Sequence, residues 1–407
     1  MTVSTEPSPR TLLVTLSGTD RPGVTAALFS TLSPFDVDVL DVEQVTARGR
    51  LVLATLLGDP PDEDALRREL AGLAERLDVD IDISAGHGDH RRPEDRAHVT
   101  VLGSPLRPTA LGALAQAVAG CGANIDRIDR LASYPVTSVE LEVSGADPEA
   151  LKAELAAVAV AEGTDVAVQP SGLIRRAKRL VIMDVDSTLV QGEVIEMLAE
   201  KAGVLDEVAK VTASAMRGEL DFAESLRARV RLLAGLPASA IDEVRHAVQL
   251  TAGAKTLIRT LKRLDYRCAI VSGGFSQITD ALAADLGIDY AAANTLEVVD
   301  GRLTGDLVGP ILDRPGKAAA LTRFAAEEGV PLSQTIAVGD GANDLDMIAT
   351  AGLGVAFNAK PVVQDAADTA VNVPYLDAVL YLLGISRADI EAADAADGTP
   401  TPAPPLS

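Results

Sequence analysis

Apolar and polar positions alternate over residues 11–17, the period of two that marks a strand with one buried face. A Gly-Thr-Asp-Arg-Pro-Gly turn follows at 18–23, and then a helical spacing over 24–32. Strand-like segments at 37–46 and 51–57, a charged amphipathic helix near 62–76 and a strand at 79–84 complete the order βαββαβ. The order then returns: strand 98–102, a turn at 103–108, helix 110–119, strands near 125–131 and 136–143, helix 148–162 and strand 165–169. Leucine followed after four residues by Arg-Pro occurs in both copies, from Leu16 to Pro22 and from Leu102 to Pro108. An internal repeat of two ferredoxin-like units is the plainest account.

From residue 179 the pattern changes. Short, mainly apolar runs at 180–183, 267–272, 335–339 and 353–356 alternate with helical stretches, which predicts a doubly wound, Rossmann-like α/β domain with buried parallel strands. Residues 194–248, between the first of these strands and Thr251, are mostly helical and read as an inserted cap. The expected division is a disordered start at 1–10, a first unit at 11–85 and a polar linker at 86–96. A second unit at 97–170, the α/β domain at 179–385 and a disordered Ala-, Asp-, Thr- and Pro-rich tail at 386–407 complete it.

Charge narrows the partners. A formal charge of −23 over 407 residues argues against non-specific binding to nucleic acid or to an anionic membrane surface. Neither a secretory leader nor an apolar run of membrane-spanning length is visible, so a cytoplasmic location is expected. The two cysteines, Cys121 and Cys268, fall in different regions and are expected to be free thiols.

The candidate chemistry sits at strand tips. The run Leu180-Val-Ile-Met183 leads into Asp184-Val-Asp186-Ser-Thr188, and two carboxylates there are costly unless a cation or a phosphate needs them. A second apolar strand ends in Ser272-Gly273-Gly274 before a helix, where exposed amides can cradle phosphate oxygens. Lys317 opens a helix after Asp313-Arg-Pro-Gly316. A third apolar strand runs into Gly339-Asp340-Gly341-Ala342-Asn343-Asp344.

These motifs together resemble the haloacid-dehalogenase-like phosphohydrolases: DxDx[TV] at Asp184–Thr188, the Ser272 strand end, Lys317 and GDGxND at 339–344. The resemblance implies that Asp184 is the nucleophile, forming an aspartyl phosphate, and that Asp186 is the general acid and base. It also implies that Lys317 neutralises charge. Asp184, Asp340 and the backbone carbonyl of Asp186 would hold Mg²⁺, with Thr188 and Asp344 in support. Within that superfamily, DSTL at 186–189 with Glu193, and the stretch at 218–233 containing Leu-Asp-Phe222 and Arg229, resemble the phosphoserine phosphatases. That resemblance implies O-phospho-L-serine as substrate. Glu193 would meet its ammonium and Arg229 its carboxylate, and Met216 and Phe222 would line the apolar side. Ser272, Gly273, Lys317 and Asn343 would contact the substrate.

The two front repeats resemble ACT domains, modules that bind amino acids. The turn at 18–24 matches their ligand loop and marks Gly18, Asp20 and Gly23 as regulatory candidates, with L-serine or another amino acid as ligand. In the second copy Ser104 and Leu106 stand where Gly18 and Asp20 do, which puts ligand binding there in question. A homodimer formed through these units is expected. Two other readings stay open on sequence alone: a phosphatase or phosphotransferase for another small phosphomonoester, and an amino acid sensor carrying a vestigial phosphatase domain.

Overall fold

The computed structural model describes residues 9–87, 95–217 and 219–399. The chain divides into two compact units, 1–92 and 93–407. The first is a four-stranded antiparallel sheet in the order β2-β3-β1-β4, made of β1 (Arg10–Thr19), β2 (Val39–Ala47), β3 (Arg50–Gly58) and β4 (Val79–His87). Helices Val24–Leu32 and Glu63–Leu77 cover one face, burying Leu12, Val14 and Leu16 of β1 against Leu28, Leu66 and Leu70. Asp62 caps the second helix by accepting a hydrogen bond from the Ala65 amide at 2.9 Å. Arg10 belongs to β1 and pairs with Asp59 and Glu63, so the expected disorder does not extend to it.

The second unit begins with the same order. Strands β5 (Arg96–Gly103), β6 (Asn124–Ala132), β7 (Thr137–Ser144) and β8 (Asp165–Pro170) pair as β6-β7-β5-β8, with helices Pro108–Gly120 and Pro148–Glu162 on one face. The shared strand order makes the repeat a structural one. Next comes a seven-stranded sheet of β9 (Leu180–Asp184), β10 (Arg267–Phe275), β11 (Tyr290–Val299), β12 (Arg302–Val308), β13 (Thr335–Gly339), β14 (Gly354–Phe357) and β15 (Thr369–Val371). Its order is β12-β11-β10-β9-β13-β14-β15, and all neighbours are parallel except β11 and β12. The chain winds outward from β9 on one side and returns beside it at β13. The crevice above the carboxyl ends of β9, β10 and β13 is therefore the switch point of the sheet. Helices Val194–Ala202, Leu205–Met216, Phe222–Arg231 and Ser239–Ala247 form the inserted cap.

Two expectations need correction. Strands β11, β12 and β15 escape the apolar-run pattern: β11 opens with a tyrosine and three alanines, β12 carries Gly305 and β15 has three residues. The segment after 385 is also not wholly a disordered tail, because Arg387–Ala396 is a helix capped by Ser386. Its Ile390 is buried, and its buried Asp394 accepts from Arg259 Nη2 at 2.6 Å and Nε at 2.9 Å and pairs with Arg263 at 2.5 Å. The expected disorder at 1–8 and 400–407 and the linker residues 88–94 lie outside the described residues. Both cysteines are free, Cys268 inside β10 with its thiol pushed up to about 12 by burial. Among the described residues no helix is long and apolar enough to cross a membrane.

Candidate active site

Every residue of β9 is buried, so the strand delivers Asp184 to the crevice with no freedom to swing away. The chain turns at once. Ser187 takes a left-handed conformation (φ 59°), and its amide donates to Gly192 O at 3.1 Å. The turn brings Asp186 back over the site, where its carboxylate accepts from the Val194 amide at 2.8 Å and from Ser272 Oγ at 2.9 Å. Ser272 in turn accepts from the Gly274 amide at 2.7 Å. A β-carbon on Gly274 would sit 2.9 Å from Ser272 Oγ and 3.1 Å from Asp186 Oδ2, and one on Gly273 would sit 3.0 Å from the ring of Phe222. Glycine at these positions lets both the acid and the cap approach the backbone closely.

Beneath the crevice lies a buried charge triad. Lys317 Nζ donates to Asp184 Oδ1 at 2.7 Å and to Asp344 Oδ1 at 2.6 Å. The three side chains are 1 %, 4 % and 0 % exposed. Asp344 Oδ2 also accepts from the Gly341 amide at 3.0 Å, so both its oxygens are committed. Burial alone would lower the lysine pKa, but Asp184 and Asp344 hold it above the ordinary range. Asp184 is shifted well above a normal carboxylate, first by burial and then by Asp344. Burial and Asp344 likewise push Asp340 up to about 6, and Thr188 Oγ1 donates to Asp340 Oδ1 at 3.2 Å.

The donor set suits a hard divalent cation. Carboxylate oxygens of Asp184, Asp340 and Asp344 all lie within 4.8 Å of one another. One lysine offsets one of these three acids, and the excess negative charge adds to burial in raising the Asp184 and Asp340 pKa values. Because Lys317 and Gly341 engage both oxygens of Asp344, Asp184 and Asp340 are the acids left to bind a metal.

Above the triad opens a cavity of about 420 Å³. Asp184, Asp186, Gly273, Asp340 and Asn343 line its floor side, and Glu193, Phe222, Leu226 and Arg229 are contributed by the cap and its entry. Burial, then Asp186 and Asp340, push the Glu193 carboxyl up to about 7. Arg229 is attracted to Glu193, yet its Nε is buried without a hydrogen-bond partner. A guanidinium that lines the cavity and makes no ion pair among the described residues is suited to receive an anion.

Most of the expected residues converge here. Lys317, Asp344, Thr188 and Ser272 stand behind the wall, with the Ser272 hydroxyl directed at Asp186. Met216 ends a cap helix, and its side chain lies outside the described part of the structure. Lys360, which also lines the cavity, was missed. Its only sequence signal is a cation next to Pro361, three residues beyond the apolar tip of β14. Gly18, Asp20 and Gly23 lie in the other unit. There Gly18 is needed because a β-carbon would sit 2.6 Å from Val79 Cγ1, and Gly23 because its φ is +96°. The Asp20 amide donates to Gly49 O at 2.8 Å.

Residues 181–349 match the haloacid dehalogenase-like hydrolase family, and residues 10–84 and 96–169 each match an ACT domain family. The chain is 62 % identical to a phosphoserine phosphatase of Streptomyces coelicolor over 94 % of both chains. It is 53 % identical to a phosphoserine phosphatase of Mycobacterium tuberculosis, over 96 % of this chain and 97 % of that one. A crystal structure of a probable phosphoserine phosphatase from Vibrio cholerae superposes with a TM-score of 0.58 at 35 % identity, covering 72 % of this chain and 88 % of that one.

The triad makes a stability prediction. Lys317→Met strands two buried carboxylates, so chemical denaturation at pH 7 should show a loss of about 3 kcal/mol. The loss should shrink as the pH falls, because Asp184, already held well above the normal carboxylate range by burial, takes up a proton. An equal loss at pH 7 and pH 5 would contradict this reading of the triad.

Proposed function

The chain belongs to the phosphoserine phosphatase family of haloacid dehalogenase-like hydrolases, with two ACT domains ahead of the catalytic domain, and from that premise we propose that it hydrolyses O-phospho-L-serine to L-serine and phosphate through an aspartyl phosphate on Asp184. The reaction would complete L-serine biosynthesis. The observation that carries the substrate assignment is the presence, in one cavity, of Glu193 and of an Arg229 that makes no ion pair among the described residues. A zwitterionic amino acid needs one acid and one fork-shaped base, and the phosphate would then reach toward Asp184.

The mechanism follows from charge. Asp184 and Asp340, with the Asp186 carbonyl, would hold Mg²⁺, which would lower the repulsion between phosphate and carboxylate when bound. A carboxylate oxygen of Asp184 attacks phosphorus, and the phosphorus–oxygen bond to serine breaks. Asp186, held by the Val194 amide and Ser272, gives its proton to the departing serine oxygen. Its carboxylate then takes a proton from the water that attacks phosphorus and releases phosphate from Asp184. Lys317 holds the nucleophile in place and balances its charge. Gly273 and Asn343 line the cavity and would contact the substrate, joined by Ser272 if its hydroxyl turns from Asp186. Phe222 and Met216 would bound the apolar side. Cytoplasmic residence fits a soluble amino acid substrate.

The ACT domains would bind L-serine or a related amino acid at the turn containing Gly18, Asp20 and Gly23, and would pair two chains as a homodimer. Against the reading of the chain as a sensor with an inert site stands the gathering of Asp184, Asp186, Lys317, Asp340 and Asp344 around one crevice.

Two measurements test these proposals. Against a panel of phosphorylated metabolites, O-phospho-L-serine should be the preferred substrate, and Arg229→Ala should raise its KM about a hundredfold while sparing an aryl phosphate. An equal effect on both substrates would remove Arg229 from carboxylate recognition. Calorimetric titration of the full chain with L-serine should show a binding event that Asp20→Ala removes without loss of turnover. Light scattering on the same samples should give twice the chain mass. Unchanged serine binding in Asp20→Ala would displace the regulatory site from that turn.

A further inference from the structure

Among the described residues, Lys360 is the cavity-lining cation that the reaction outlined above does not use. The lining carries four acids, Asp184, Asp186, Glu193 and Asp340, against two cations, Arg229 and Lys360. Lys360 makes no ion pair among the described residues, although its side chain is exposed to the cavity and to solvent. A phosphate monoester that also carries a carboxylate has a net negative charge, so it enters an acidic mouth against repulsion.

The backbone that carries Lys360 is tied to the second ACT domain. Asp165, at the start of β8 and buried, accepts from the Asn372 amide at 2.7 Å and from Asn372 Nδ2 at 2.8 Å. Asn372 Oδ1 accepts from Gln364 Nε2 at 2.9 Å, and the same Nε2 donates to Ala359 O at 2.6 Å. Lys360 is the next residue. On the other side, Asn358 sits in a left-handed turn (φ 45°) with its amide on Val371 O at 2.9 Å. Thr369 Oγ1 adds a bond to Val166 O at 3.2 Å. The short segment 358–360 therefore hangs from a polar bridge rooted in the ACT domain.

We propose that Lys360 is a positioning residue for the anionic substrate, and that the bridge Asp165–Asn372–Gln364–Ala359 makes the second ACT domain part of the active-site rim by fixing where that cation stands. The inference rests on the phosphatase reading and goes beyond it. It gives the second repeat, whose turn departs from the ligand-binding pattern, a role that needs no ligand. A change in the seating of β8 would reach the substrate through this bridge.

The test is a kinetic cycle on the full chain with O-phospho-L-serine. Lys360→Met should raise KM about tenfold and lower kcat by less than about threefold, and it should make KM fall more steeply with ionic strength, because the mouth left behind is more acidic. Lys360→Arg should restore most of the loss. Asp165→Ala and Gln364→Ala should each raise KM about threefold in the native background and have no further effect in the Lys360→Met background. The Gln364 variant is the cleaner arm, since its side chain is only partly buried. If Lys360→Met leaves KM and its salt dependence unchanged while the native enzyme turns over, the inference fails and the phosphatase reading stands. Multiplying effects in the double variants would overturn the bridge. If the native chain does not hydrolyse O-phospho-L-serine, both readings fall together.

Discussion

The contact on which the rest depends is the lysine between two buried aspartates. Lys317 joins three segments that are far apart in sequence: the end of β9, the start of helix Arg314–Glu327 and the turn after β13. An isolated charge at that depth would be untenable, and one cation for two acids leaves the group short of positive charge. The site is thus assembled by a stable ion pair and left electrostatically incomplete. Burial first, and the surplus of acids after it, raise the Asp340 and Glu193 carboxyls, and a divalent cation and a zwitterionic substrate would relieve that surplus.

A division of labour follows among the three strand tips. In the proposed reaction β9 would supply the attacking carboxylate and, just beyond it, Asp186. Strand β10 ends near glycines that let backbone, cap and acid crowd together, and β13 leads into Asp340 and Asp344. In that reaction the cap would contribute recognition rather than chemistry. Asp221 fixes the start of its helix Phe222–Arg231 through a reciprocal cap with Glu224, which sets the phase of Phe222 and Arg229 toward the cavity.

Much of this was legible in the sequence because the signals are local. Alternation marks β1 and β5, unbroken apolar runs mark β9 and β13, and acids crowded at a strand tip point to a cation or a phosphate that offsets their burial. What was not legible depends on distant partners. The helix Arg387–Ala396 reads as Ala- and Asp-rich tail until Arg259 and Arg263 are seen on Asp394. Strand β15 is three residues long and is placed by β14 beside it and by Thr369 and Asn372 against β8. Lys360 looks like an ordinary surface lysine because the cavity beside it exists only in the folded chain. Ser272 was expected to face the phosphate, yet its hydroxyl holds Asp186, a relation that no spacing could reveal.

The central claim is that Asp184 receives the phosphoryl group. It is tested most directly by mixing the enzyme with O-phospho-L-serine and Mg²⁺, quenching in acid within milliseconds, reducing with borohydride and locating the modified residue by peptide mass. The account predicts that the acyl phosphate is reduced at Asp184 alone and that the label is absent in Asp184→Asn. Full turnover with no trapped adduct in an Asp186→Asn chain, where breakdown should stall, or an adduct at another residue, would contradict it.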